Sequence, residues 1–176
     1  MQTKAVFRAA QSLADVKIAA LRFNFRGVGT STGGYDMGVG EKQDVLAALD
    51  WLEERHPGLP LVVGGFSFGS MVGLSAAAED PRVVAMFGLS LPVRMYDYAF
   101  LADVEKPVLV VQGDEDDLGS GAEVEPIVAE LGSHITLARI EGSDHFFDGH
   151  MDEVKALVSA YFRDGPGGQA VEGSTE

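Results

Sequence analysis

"LVVGGFSFGS", residues 61–70, decides how this chain is to be read. Three aliphatic residues run into Gly65-Phe66-Ser67-Phe68-Gly69, where a serine stands between two bulky phenylalanines with a glycine beyond each. A plain turn needs one Gly or Asn, not small residues on both sides of a serine. The next stretch, SMVGLSAAAED (70–80), has a helical pattern and is rich in small residues. Gly69, Ser70, Gly73, Ala76, Ala77 and Ala78 would let such a helix lie close against a sheet. A buried strand therefore passes through a tight turn directly into a closely packed helix.

The same alternation runs outward in both directions. Residues 3–15 read as a helix and KIAALRFNF (17–25) as a strand. A glycine-rich loop follows, then a helix over about 41–55 that Pro57-Gly58 stops. Beyond the central unit, 83–91 and 107–113 read as strands, 121–131 as a helix, 134–140 as a strand and 151–163 as a closing helix. Strands alternating with helices predict an α/β fold, a mostly parallel sheet with helices on both faces. A single domain over 1–164 is expected, with GPGGQAVEGSTE leaving 165–176 as a disordered tail.

Composition excludes several functions. The net charge of -14 repels nucleic-acid phosphates and anionic membranes, and no Lys/Arg cluster offsets it. With no cysteine there are neither disulfides nor thiolate metal sites. The first twenty residues carry Lys4, Arg8, Asp15 and Lys17 with no apolar leader segment, and no uncharged run is long enough to span a membrane. A cytoplasmic protein acting on a small molecule, with no nucleic-acid or membrane partner, is the expectation.

In sheets of this kind ligands bind beyond the carboxyl ends of the strands. Three of those ends carry reactive residue types: Ser67, the acidic run Asp114-Glu115-Asp116-Asp117, and Asp144-His145. Their chain order is serine, acid, histidine. G-x-S-x-G is the nucleophile elbow, a strained turn that presents the serine hydroxyl to a base. An imidazole can take the serine proton, and a carboxylate can hold the imidazole in the correct tautomer. Asp114, Asp116 and Asp117 all follow one strand, so spacing alone leaves the acid open among them. His150 is a rival to His145, while His56 and His134 read as surface residues. A metal site from Asp144, His145, Asp148 and His150 is the competing use of this segment, although no third histidine is near.

With these motifs, RFNFRGVGTSTGGYD (22–36) and GVGEKQDVLAALDWL (38–52) make the chain resemble the α/β-hydrolase superfamily, in particular small bacterial members without a cap domain. The resemblance covers about residues 3–163. It implies Ser67 as nucleophile, His145 as base, Asp116 as the acid and the Phe68 backbone N–H as an oxyanion donor, with no cofactor. It further implies a serine hydrolase of small carboxylic esters or thioesters, with a peptidase or a dienelactone-hydrolase-like enzyme as the alternative. Met1 falls where the family's third strand and its oxyanion loop have already passed. The resemblance therefore implies an α/β-hydrolase type lacking its first strands, with a gap between strands 17–25 and 60–66, a weakened fold and only one oxyanion donor. An inactive shortened relative serving as a binding or scaffold domain is the non-enzyme alternative.

Two further segments invite other readings. Gly27-Val28-Gly29-Thr30-Ser31-Thr32-Gly33 suggests a nucleotide loop, but Thr32 stands where the third glycine of that fingerprint belongs and no Lys-Ser/Thr pair follows. Arg26 and Gly27 are expected to be structural. Residues 92–106, where a lid could be inserted, form only a short connection, so an open site is expected. Phe66, Tyr96, Tyr98, Phe100 and Phe146 are divided between an acyl pocket and the core.

Overall fold

A computed structural model of the protein describes residues 3–174. Four strands, β1 (Leu61–Phe66), β2 (Val83–Leu89), β3 (Val108–Gly113) and β4 (Ile135–Ile140), form one sheet in the order β1-β2-β3-β4, every neighbouring pair parallel. The helices are α1 (Lys4–Asp15), α2 (Val39–Arg55), α3 (Phe68–Glu79), α4 (Gly121–Leu131), α5 (Met151–Arg163) and α6 (Pro166–Gly173). The expected α/β class, a parallel sheet with helices on both faces, is what forms.

Strand side chains alternate between faces and divide the core into two layers. Val108 and Val110 of β3 pack with Val45 and Leu49 of α2, Val72 and Leu74 of α3, and Val124 of α4. Leu109 and Val111 of the same strand pack with Ala9 and Leu13 of α1 and with Val154, Val158 and Phe162 of α5. Because both faces are covered, β3 reads as the uninterrupted run VLVV. In α3, Gly73 faces Val63, and Ala76 and Ala77 are fully buried, so the helix sits low on the sheet as its composition requires.

Two expectations are corrected. Residues 17–25 do not join the sheet. Among the described residues no backbone N–H or C=O of residues 19–23 has a hydrogen-bond partner, and Ala19 to Arg22 are exposed. A strand needs a neighbour within ladder distance, and here an apolar slot of about 390 Å³ separates the segment from β1. Ile18 to Leu21 form one wall and Leu61, Val62, Gly64 and Gly65 the other. Ala9 and Leu13 of α1, Leu52 of α2 and Val171 of α6 close it above and below. In β1, the Leu61 and Ser67 N–H groups bond to Arg82 and Leu89 on the β2 side. By alternation the backbone groups of Val62, Gly64 and Phe66 point into the slot.

The tail is the second correction. Residues 166–173 form α6, which packs against α5 and β2. Pro166 at its first turn presets the helical φ. Gly167 and Gly168 are buried where any side chain would strike Tyr161 or the Phe162 carbonyl. The glycines that suggested a flexible linker are what permit the contact. Residues 175 and 176 lie outside the described residues.

Candidate active site

Ser67 sits between β1 and α3 with φ 54° and ψ -126°, a strained conformation for a residue with a Cβ. The strain is held in place by close approach. A Cβ on Gly65 would lie 2.1 Å from the Gly69 carbonyl oxygen and 2.6 Å from the Ser70 nitrogen, so only glycine allows the strand to meet the helix there. Gly69 is different: a Cβ would meet only the Phe25 ring, at 3.8 Å. Beneath the turn, Ser70 Oγ donates to the Ser67 carbonyl at 2.7 Å. Ser70's one proton being used there, the buried Tyr98 hydroxyl donates to Ser70 Oγ at 2.9 Å. Burial raises the Tyr98 phenol well above its ordinary range and keeps that donor protonated.

The histidine arrives on the loop between β4 and α5. Phe147, fully buried with φ 56°, anchors this loop, and Ser90 Oγ donates to the His145 carbonyl at 2.7 Å. The acid arrives on the loop after β3. A Cβ on Gly113 would lie 2.4 Å from the Ser143 carbonyl oxygen, so glycine is what lets these two loops touch. Their contact is sealed by the Glu115 N–H donating to the Ser143 carbonyl at 2.9 Å.

These three strand ends converge. His145 Nε2 lies 2.9 Å from Ser67 Oγ, and Nδ1 lies 2.9 Å from both carboxylate oxygens of Asp116. His145 is 4% exposed and Asp116 2%. A carboxylate can only accept, so Nδ1 carries the proton and Nε2 offers its lone pair to the serine hydroxyl. Asp116 is fixed by two more donors, the Leu118 N–H at 2.8 Å and Gln112 Nε2 at 2.8 Å. Phe68 is the first residue of α3, where helix geometry leaves its N–H without an intrahelical partner beside Ser67.

Neither Asp114 nor Asp117 bonds to His145. Asp114 bonds Arg139 at 2.7 Å, and the Asp117 carbonyl accepts from Arg94 Nη1 at 2.8 Å. Asp144 caps its own loop by accepting the Phe146 and Asp148 N–H groups. His150 pairs with Glu153, His134 bonds the Leu101 carbonyl and His56 is exposed. The structure does not gather Asp144, His145, Asp148 and His150: among the described residues no cluster of three or more suitable side chains could hold a metal ion. Nor, among them, is any helix long and apolar enough to cross a membrane.

Aromatic rings flank the serine on two sides. Phe66 and Phe146 each have ring centroids 5.2 Å from the His145 ring, and Phe146 is 60% exposed. Phe68 contacts Tyr35 and Tyr96. Burial, then the adjoining Tyr35, raises the Tyr96 phenol. Tyr98 is core, and Phe100 packs against the core. Arg26 forms a forked pair with Asp44, with contacts of 2.7 to 3.2 Å, so its role is structural as expected. Gln112, Ser90 and the Ser70–Tyr98 pair escape motif reading. For Gln112 there was a signal: it is the one polar residue in an otherwise aliphatic buried strand.

A protein-family model described as an alpha/beta hydrolase domain matches residues 1–155. An uncharacterised protein of Rickettsia prowazekii is 37% identical over an alignment of 170 residues, covering 92% of this chain and 71% of the relative. Among solved structures, an alpha-beta serine hydrolase homologue from Coxiella burnetii has a TM-score of 0.83 and 33% identity, covering 90% of this chain and 76% of its own. A serine hydrolase without a lid from Xanthomonas campestris has a TM-score of 0.84 and 34% identity, covering 93% and 74% respectively. The fold, with strand-end loops converging on Ser67, and these likenesses agree: the chain belongs to the alpha/beta hydrolase family.

Proposed function

We propose that the protein is a serine hydrolase of small, uncharged carboxylic esters or thioesters. The observation that carries the reading is the unbroken line from Asp116 through His145 to Ser67, with 2.9 Å at each step. Ser67 Oγ attacks the carbonyl carbon while its proton passes to His145 Nε2, and the carbonyl oxygen takes the negative charge beside the Phe68 N–H. His145 then protonates the departing alcohol or thiol as the tetrahedral carbon collapses to an acyl-serine. Water, deprotonated by His145, attacks that acyl group, and as the second tetrahedral carbon collapses His145 returns the proton to Ser67 Oγ, releasing the acid and the free serine. Asp116 keeps Nδ1–H in place and stabilises the imidazolium in both halves.

Charge near the site favours neutral substrates. Glu115, Asp117, Asp144 and Asp148 surround the acid and histidine loops, and the nearby Arg94 is held by Glu123 at 3.0 Å and by the Asp117 carbonyl. A substrate bearing a carboxylate, as a dienelactone does, would meet acids and a cation already paired. The exposed Phe146 and the half-buried Phe66 instead offer apolar surface to an acyl or aryl group.

The test is a fluorophosphonate probe with the adduct mapped by mass spectrometry, alongside p-nitrophenyl acetate turnover. The label belongs on Ser67, and Ser67→Ala should lose the label and at least about 10³-fold of turnover. Labelling at another serine, or equal labelling of Ser67→Ala, would overturn the proposal.

A further inference from the structure

We propose that Gln112 sets the basicity of the Asp116–His145 pair, a positioning role that rests on the serine-hydrolase reading above. Gln112 is fully buried near the end of β3, where an unpaired amide would be costly. Both N–H donors and the carbonyl oxygen of its amide are engaged. Oε1 accepts the Leu91 N–H at 2.7 Å, and Nε2 donates to Asp116 Oδ2 at 2.8 Å and to the Gly119 carbonyl at 2.5 Å. The Leu91 contact decides the orientation of the amide: a backbone N–H must meet the oxygen, so the nitrogen is turned toward the carboxylate.

The consequence is electrostatic. A buried carboxylate with too few donors would hold the imidazolium too firmly and leave His145 protonated to higher pH, without the free Nε2 lone pair that must take the serine proton. Each N–H aimed at Asp116 weakens that hold. The Leu118 donor is backbone and the same for any residue but proline, whereas Gln112 is the side chain that supplies the second donor.

The other charges facing the pair come from every neighbouring element. Glu115 and Asp117 share the acid loop, with Asp114 tied to Arg139. Asp144 and Asp148 lie on the histidine loop, and His150 with Glu153 at the start of α5. Arg94 comes from the connection after β2, and the elbow side presents the neutral Ser70–Tyr98 pair. None of these groups bonds to Gln112, so replacing it changes the donor and leaves the surrounding charges in place.

The experiment measures the second-order rate of Ser67 labelling by a fluorophosphonate against pH, for the natural protein and for Gln112→Met, which keeps the shape and loses both donors. Removing the donor makes Asp116 hold the imidazolium more firmly, so the acid limb should move to higher pH by roughly half to one unit. In the natural protein, the assigned Gln112 side-chain amide NMR signal should shift with the same midpoint as that limb, a readout that stands even where Gln112→Met does not fold. A limb that stays in place in folded Gln112→Met, or an amide signal that ignores the limb, overturns the inference while Ser67 labelling leaves the hydrolase reading intact. Labelling that persists in Ser67→Ala fails the hydrolase reading itself.

Discussion

The two glycines of the elbow look equivalent in sequence and are not equivalent in space, which gives a sharp prediction. In Gly65→Ala the new methyl would sit 2.1 Å from the Gly69 oxygen, 2.4 Å from its carbonyl carbon and 2.6 Å from the Ser70 nitrogen. Real Cβ atoms stay beyond 3.0 Å, so the first turn of α3 must retreat from β1 by on the order of 1 Å. All three obstructing atoms are backbone, and no rotamer change relieves them. Retreat carries Ser67 and the Phe68 N–H away from His145, and a displacement of about 1 Å costs about 10²-fold in rate. Overpacking adds about 1 to 3 kcal/mol of lost stability, which for a chain of this size lowers Tm by about 2 to 12 °C.

Gly69→Ala should behave in the opposite way. Its methyl meets only Phe25 at 3.8 Å, an ordinary contact, and alanine replaces glycine in the first turn of a helix, worth up to about 1 kcal/mol. Fluorophosphonate labelling within about threefold of the natural rate, with an equal or higher Tm, is expected. The assay is the labelling rate together with thermal unfolding for both variants. Natural labelling and Tm in Gly65→Ala, or equal damage in Gly69→Ala, would refute the steric account of the elbow.

Three other outcomes are expected. Asp116→Asn should depress ester turnover by about 10⁴-fold, whereas Asp114→Asn and Asp117→Asn, neither of which bonds to His145, should change it by less than about tenfold; an inactive Asp117→Asn with an active Asp116→Asn reverses the assignment. Burial alone would raise the Glu41 carboxyl, but the backbone N–H groups of Asp36, Glu41 and Gly38, aided by Arg26, lower it below its ordinary value of 4.5. A depressed native value means the stabilisation is complete above about pH 4.5 and is lost as pH falls through that lower value, so Glu41→Gln should flatten the stability curve in this acid range, measured by urea unfolding at several pH values. In β1, the slot-facing amides of Val62, Gly64 and Phe66 should exchange with deuterium faster than those of Val63 and Gly65, read by NMR; uniform protection along the strand would mean that the slot edge is paired.

What could be read in advance follows from where the information lies. Ser67, Asp116 and His145 stand just past strand ends, at Gly-marked turns whose residue types are set by local backbone demands, and the structure brings all three together. Choosing among Asp114, Asp116 and Asp117 required the turn itself. Asp116 points inward because Leu118 and Gln112 donate to it, while Asp114 turns outward to Arg139. Only the Leu118 bond is local to the turn; Gln112 comes from β3 and Arg139 from β4. Residues 17–25 carry a strand pattern but lack a partner, and strand formation depends on the partner as much as on the segment. In α6 the failure runs the other way: a composition typical of linkers is rescued by the Tyr161 and Phe162 surface against which the glycines pack.

The slot and the elbow are joined through one residue. Phe66 ends β1 with its backbone groups directed by alternation into the slot, its ring rests on His145, and its carbonyl carbon is bonded to the Ser67 nitrogen. The β2 side of this junction is secured by the Ser67 N–H bond to Leu89 at 2.9 Å, while the opposite side has no ladder among the described residues. Fraying that began at the open edge would therefore reach Ser67 before it reached Asp116, which depends on β3 at the centre of the sheet with strands on both sides. The strain at Ser67 sharpens the asymmetry, because a residue held at φ 54° keeps that conformation only while its surroundings over-determine it. In this fold the acid is the rigid member of the site, and the serine is the member whose position depends on how well the edge of the sheet is held.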